Sequence, residues 1–192
     1  MKLIFATSNQ NKAREIAALL PDNFEVMTLN DIDLHEDIPE TCPTIEGNAN
    51  QKADYIVDHF QLNCFADDTG LEIEALSGEP GVKSARYAGE DRSDENNMNL
   101  VLSKLKNQKD RTARFKTVIA LRINGENYEF EGIVNGHIRE EKKGTNGFGY
   151  DPIFEPENCG KTFAEMTLIE KNQFSHRARA VQKLITFINE KF

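Results

Sequence analysis

The residues best equipped for chemistry lie in one stretch, Cys64-Phe65-Ala66-Asp67-Asp68-Thr69-Gly70-Leu71-Glu72-Ile73-Glu74-Ala75. A short apolar run that reads as a buried strand delivers two adjacent carboxylates. A Thr-Gly pair then turns the chain into a second apolar alternation through Leu71, Ile73 and Ala75. Neighbouring carboxylates repel each other and stay ionised together only where a cation or several hydrogen-bond donors neutralise them. Mg2+ suits such a pair, because it takes one or two protein carboxylates and leaves its other positions to water and substrate phosphate. An acidic hairpin turn made of ordinary turn residues accounts for the same stretch equally well.

Two helix starts could each hold an anion. Ser8-Asn9-Gln10-Asn11 separates an apolar run from a helical stripe of Ala13, Ile16, Ala17 and Leu20, and the first helical turn carries Lys12 and Arg14. Cations there oppose the helix macrodipole. They make sense if a phosphate occupies the amino-terminal amides, a ready anion cradle; a plain cap by Ser8 or Asn9 with a solvated Lys12 is the other reading. Near the carboxyl end Ser175 reads as the cap of a helix that begins His176-Arg177-Ala178-Arg179, with Lys171 just upstream. The same inversion occurring twice points to anionic or electron-rich ligand groups, while a solvated basic cap accounts for either one singly. Between them, Gly144-Thr145-Asn146-Gly147-Phe148-Gly149-Tyr150-Asp151-Pro152 is glycine-rich but lacks the Gly-Lys-Ser/Thr ending of a Walker loop. Its Phe148 and Tyr150 suit a planar ligand stacked on an aromatic ring, and a glycine turn with its aromatics in the core fits as well.

The elements that must carry these groups follow from periodicity. Lys2 to Thr7 is apolar on both faces, which predicts a central strand; Phe24 to Leu29 supplies a second. An acidic, irregular segment from Asp31 to Pro43 contains Glu40, which by itself does no more than complement the dipole of the following helix. That helix runs to about Phe60, with Ala49, Ala53, Ile56, Val57 and Phe60 at helical spacing. Ser93 caps a further helix carrying Met98, Val101, Leu102 and Leu105. Ala113 to Ile123 alternates as a strand, and Asn124-Gly125 is a strong hairpin signal, with Tyr128, Phe130 and Val134 returning. A strand-helix beginning joined to a long antiparallel hairpin implies an α/β fold with a mixed sheet.

Composition narrows the partners. With 192 residues, 39% hydrophobic and 29% charged, the chain reads as one folding unit. No apolar run approaches the roughly 20 residues of a membrane helix, so no membrane partner is expected. The apolar run at the amino terminus is too short for a signal-peptide core, which makes a cytoplasmic location the expectation. Cys42, Cys64 and Cys159 match neither a disulfide framework nor a zinc pattern. A net charge of −9 argues against nucleic acid as a partner, so cations that bind phosphate must be local.

Taken together, Thr7-Ser8-Asn9-Gln10-Asn11-Lys12, Phe65-Ala66-Asp67-Asp68-Thr69-Gly70-Leu71, Pro80-Gly81-Val82-Lys83-Ser84-Ala85-Arg86-Tyr87-Ala88-Gly89, Phe148-Gly149-Tyr150-Asp151-Pro152-Ile153-Phe154 and Ser175-His176-Arg177 resemble the inosine triphosphate pyrophosphatase family. The resemblance covers essentially the whole chain in the same order. It implies a single domain over residues 1–192, an α/β structure in which a long twisted mixed sheet and flanking helices form two lobes around a central cleft. It also implies a homodimer.

The resemblance further implies Mg2+-dependent hydrolysis of deaminated purine nucleoside triphosphates (ITP, dITP, XTP) to the monophosphate and pyrophosphate. By that resemblance Thr7, Ser8, Asn9, Gln10, Asn11 and Lys12 hold the triphosphate, and Asp68 is metal ligand and base for the attacking water. Glu40 joins the metal site, Asp67 reaches it through water, and Thr69 contacts substrate. Phe148, Gly149, Tyr150 and Asp151 stack on and border the base, Lys171 approaches the substrate, and His176 with Arg177 reads the 6-oxo edge of the purine. Ser8 stands where the family often has Gly, and Glu46-Gly47-Asn48-Ala49 spaces the Glu from the Asn, where many members have them adjacent. A pyrophosphatase for modified pyrimidine nucleotides and a nucleotide sensor without catalysis are the rival readings.

Overall fold

The computed structural model describes residues 2–21 and 24–192; Met1, the start of the amino-terminal run, lies outside the described residues. Strand β1 (Lys2–Phe5) is buried from Leu3 onward, as its two apolar faces predict, and it ends two residues before Thr7. It pairs in parallel with β2 (Glu25–Met27), Lys2 opposite Glu25 and Ile4 opposite Met27. On its other edge it pairs in parallel with β3 (Cys64–Ile73), Ile4 opposite Cys64 and Phe5 opposite Phe65. The rings of Phe5 and Phe65 stack at 4.7 Å.

β4 (Pro80–Gly81) joins β3 antiparallel, Leu71 opposite Gly81. The long hairpin is β5 (Thr112–Ile123) and β6 (Glu126–Ile138). Its Asn124 and Gly125 both have positive φ, 52° and 81°, which a two-residue turn matched to strand twist requires. β7 (Phe154–Pro156) pairs antiparallel with β6. Among the described residues the strand order is β2-β1-β3-β5-β6-β7 with β4 on β3, the expected mixed sheet. Its helices are α1 (Gln10–Ala17), α2 (Ile45–Phe60), α3 (Asp94–Lys104), α4 (Leu168–Asn172) and α5 (His176–Lys191). Among the described residues no helix is long and apolar enough to cross a membrane.

One expectation is corrected here. The chain does not turn at Thr69-Gly70; β3 runs uninterrupted from Cys64 to Ile73. Local turn chemistry loses to pairing, since β1 holds the beginning of β3, β4 holds its end, and the Leu71 amide donates to Ser84 Oγ at 2.9 Å.

The chain forms two compact units, each with its own core. The first comprises Met1–Asp68, Thr117–Gly132 and Arg177–Phe192. Its core packs Leu3, Phe5, Ile16 and Phe65 against Ile119, Leu121 and the α5 stripe Val181, Leu184, Ile185 and Ile188. The second comprises Thr69–Lys116 and Ile133–His176, with Leu71, Ile73, Met98, Val101, Phe115, Ile153, Phe154 and Phe163 at its centre.

Candidate active site

Because β3 is a strand through Asp67 and Asp68, successive side chains point to opposite faces. The two carboxylates therefore meet different partners. Asp67 is fully buried; its Oδ1 lies 3.1 Å from Lys12 Nζ and its Oδ2 3.3 Å from Arg177 Nε. Arg177 Nη1 also binds Glu15, a buried residue of α1. Burial alone raises the Asp67 carboxyl, but Lys12, Arg177 and Lys52 outweigh it and hold the group down at about 2. Burial in turn lowers the Lys12 ammonium, with Asp67 opposing that shift. Lys12 is therefore neither solvated nor unexplained at the helix start. Arg14 falls in the last turn of this eight-residue helix, where a cation agrees with the dipole.

Asp68 faces Lys52 and Glu40. Lys52 Nζ lies 2.5 Å from Glu40 Oε1 and 3.4 Å from Asp68 Oδ1. Burial lowers the Lys52 ammonium, but the two carboxylates prevail and leave it raised. Burial raises the Asp68 carboxyl and outweighs Lys52 and Lys12. Asp68 Oδ2 is buried and makes no hydrogen bond among the described residues.

Helix α2 fixes this arrangement by gripping the segment before it. The Thr41 amide donates to Gln51 Oε1 at 2.8 Å and the Cys42 amide to Asn48 Oδ1 at 2.9 Å. The helix is capped by Thr44, whose Oγ1 accepts from the Gly47 amide at 3.0 Å. A Cβ at Gly47 would come within 2.6 Å of Cys42 Cβ, so the glycine that separates Glu46 from Asn48 is what lets this segment pack.

The turn before α1 carries the expected polar run, with Thr7 half-buried and Ser8 to Asn11 exposed. Asn9 caps the helix, its Oδ1 accepting from the Asn11 amide at 3.0 Å and the Lys12 amide at 3.2 Å. Thr7 Oγ1 accepts from the Asn9 amide, and Ser8 Oγ donates to Asp37 Oδ1 at 3.3 Å. The Asn11 and Lys12 amides are thus held by the protein's own cap.

In the second unit Thr69 is half-buried on β3. Two residues on, Ser84 accepts the Leu71 amide through its hydroxyl, and its carbonyl accepts the Tyr150 hydroxyl at 2.8 Å. Tyr150 therefore belongs to the core, and Phe148 is the half-buried ring of the loop. Asp151 Oδ2 accepts from the Phe148 amide at 2.9 Å and from Lys171 Nζ at 2.6 Å. A Cβ at Gly147, where φ is +75°, would lie 2.0 Å from the same oxygen, so only glycine lets Asp151 reach back. Lys171 is buried and sits over the Phe148 ring, 5.1 Å from its centroid. His176 is buried and stacks on Phe115 at 4.5 Å.

The donor set fits a hard cation. Glu40 and Asp68 offer carboxylate oxygen alone, and Asp68 Oδ2 is a buried acceptor with no donor among the described residues. No group of three or more His, Cys, Asp or Glu gathers among the described residues. Two carboxylates nonetheless suffice for Mg2+, which keeps water and phosphate in its remaining positions. Asp67, on the opposite face, is committed to Lys12 and Arg177.

Comparison with known proteins identifies the family. The model of the Ham1 family matches residues 3–187. This chain belongs to the Ham1 family. A relative from Flavobacterium johnsoniae named dITP/XTP pyrophosphatase is 56% identical over 188 residues, covering 98% of each chain. One of the same name from Christiangramia forsetii is 54% identical, covering 99% of this chain and all of the other. The structure of the Staphylococcus aureus Ham1 protein, 39% identical, superposes with a TM-score of 0.91 over the full length of both chains. The α/β architecture with a mixed sheet is that of the Ham1 proteins, and the motif resemblance to the inosine triphosphate pyrophosphatase family is borne out.

Two residues of this Ham1 chain escape sequence reasoning. Lys52 carried a signal, for it occupies an apolar stripe (Ala49, Lys52, Ala53, Ile56) where a lysine needs a buried partner. Glu15 carried none; it reads as an ordinary helical glutamate beside Ile16.

Proposed function

We propose that this chain hydrolyses deaminated purine nucleoside triphosphates, dITP, ITP and XTP, to the monophosphate and pyrophosphate, clearing them from the nucleotide pool. Asp68 carries this reading: a buried carboxylate with one oxygen lacking a donor, beside Lys52 and Glu40, in a chain 56% identical to a dITP/XTP pyrophosphatase. Asp68 takes the proton from the water that attacks the α-phosphorus, the bond from that phosphorus to the bridging oxygen breaks, and pyrophosphate leaves. Its burial-raised pKa makes it a better proton acceptor than a solvated aspartate.

Mg2+ is the cation of this reading: Asp68 and Glu40 would hold it, and Asp67 would reach it through water. When bound it supplies charge neutralisation at phosphate oxygens and a lowered pKa for water. The chain contributes Lys12 and Lys52 as further countercharge, and the polar turn of Thr7, Ser8, Asn9, Gln10 and Asn11 for the triphosphate. Thr69 contacts substrate. Phe148 stacks on the base, while Gly149 leaves room and Tyr150 and Asp151 set the loop. Lys171 approaches the substrate. His176 and Arg177 donate to the 6-oxo edge, and Glu15 with Asp67 fixes the guanidinium's orientation. Residues 1–192 act as one functional domain, in a cytoplasmic homodimer with neither nucleic acid nor membrane as partner.

The test is pyrophosphate release from dITP, ITP and XTP against ATP, GTP and a modified pyrimidine triphosphate, with Mg2+ and after exhaustive chelation. Deaminated purines should lead by orders of magnitude, and only with metal. Preference for the pyrimidine would make this a pyrimidine nucleotide pyrophosphatase, binding without release would make it a sensor, and full activity after chelation would remove the metal.

A further inference from the structure

Phe148 owes its place to hydrogen bonds at two consecutive amides. Its own N–H donates to Asp151 Oδ2 at 2.9 Å, and the next N–H, of Gly149, donates to Asp94 Oδ2 at 2.7 Å. Asp94 is the first residue of α3, exposed, following the Ser93 cap. The same helix takes hold of the chain leading into the loop, since Lys142 Nζ donates to Asn99 Oδ1 at 2.7 Å and pairs with Glu95 in its first turn. The start of the loop is also tied by the Thr145 and Asn146 amides, which both donate to the Ala164 carbonyl. Gly149 has φ +63°, a conformation that an unanchored glycine leaves easily for many others. A charged acceptor on its amide removes that freedom.

We infer that Asp94 is a positioning residue for base selection: it holds Gly149, and so the Phe148 ring, in place from the start of α3. A first-turn aspartate would also stabilise α3 through the macrodipole, but that role needs no contact with Gly149. The inference rests on the base-stacking role proposed for Phe148.

Asp94→Ala, Asp94→Asn and Phe148→Ala are compared in pyrophosphate release from dITP and dATP under matched Mg2+, with exchange of the Gly149 amide followed by NMR. Loss of a charge-assisted bond to a mobile loop should raise KM for dITP about tenfold in Asp94→Ala, with kcat within about twofold. The Gly149 amide should exchange faster, and the dITP to dATP preference should narrow. Asp94→Asn retains an acceptor and should recover most of the KM. If Asp94→Ala and Asp94→Asn shift both substrates alike, or the amide keeps its protection, Asp94 serves only the helix and the inference is overturned. If Phe148→Ala raises KM for dITP while Asp94→Ala does not, the inference fails and the base site stands. If Phe148→Ala leaves KM for dITP unchanged, the base-stacking role itself fails and the inference falls with it.

Discussion

Asp67 and Asp68 are chemically the same residue on consecutive positions of one strand, and their surroundings drive them apart. Asp67 is enclosed by Lys12 and Arg177, with Glu15 behind the arginine, and is held ionised at about 2. Asp68 shares one ammonium with Glu40, is pushed upward by burial, and keeps one oxygen without a donor among the described residues. Strand alternation alone separates them. A carboxylate surrounded by cations is a fixed anion that organises its neighbours. One that is buried and half satisfied is a poor structural element but a good ligand and proton acceptor. Pairs of acidic groups whose environments split their affinities for the proton are how one site assigns anchor and base.

The largest effect expected from this contrast is on turnover. Asp68→Asn keeps the shape but loses the charge and the basicity, and should lower kcat by about 10³-fold or more while nucleotide binding, measured by calorimetry with pyrophosphate release blocked, survives. Near wild-type turnover would give the role of base to another group and erase the contrast.

Asp67→Asn should act first on folding. It leaves Lys12 and Arg177 buried without their shared anion, and breaking a buried pair from one side costs roughly 3–5 kcal/mol. The sign with pH follows from the depressed pKa: the stabilisation is complete above the unfolded value near pH 4 and fades as pH falls toward about 2. Urea unfolding of wild type and variant should therefore differ widely at pH 7 and converge on acidification. A gap that persists at low pH would mean that shape rather than charge matters at Asp67.

Lys12 tests whether the Asp67 side also serves substrate. Lys12→Ala should weaken triphosphate binding far more than monophosphate binding, by roughly 1.5–3 kcal/mol for one lost charge-assisted hydrogen bond. Equal losses for both ligands would confine Lys12 to its ion pair with Asp67.

How much of this was legible in the sequence depends on what holds each group. The paired aspartates, the Asn124-Gly125 hairpin and the Ser93 cap are local and were readable. So was the mixed sheet, because it follows from the order of periodicities. The course of the chain through Thr69-Gly70 was not, since the residues favour a turn and only pairing at both ends of β3 makes them a strand. The difference matters, because a turn could aim both carboxylates directly at one ion, whereas on the strand Asp67 meets Lys12 and Arg177. Lys12 and Arg177 do oppose the helix dipole, but protein carboxylates from distant segments meet them, and no spacing encodes those. Helix α4 went unread although Thr167 and Glu170 form a capping box, a signal outweighed by its length of five residues.

The smallest effect is the one that best separates the two aspartates. At neutral pH the buried, raised Asp68 carboxyl opposes folding, because it must be ionised in a site that disfavours the charge. An acid whose folded pKa is raised imposes this cost above its unfolded value near pH 4, increasingly until pH passes the folded value. Asparagine removes it. The substitution also takes a partner from Lys52, but that ammonium lies closer to Glu40, at 2.5 Å against 3.4 Å, and keeps the nearer anion. Asp68→Asn should therefore unfold at slightly higher temperature than wild type at pH 7 and at the same temperature below about pH 4, whereas Asp67→Asn moves the opposite way. Thermal melts of both variants across that range, without nucleotide or metal, decide the matter. A loss of stability in Asp68→Asn comparable to that in Asp67→Asn would show that Asp68 is as firmly anchored as its neighbour, and the division into anchor and base would have to be given up.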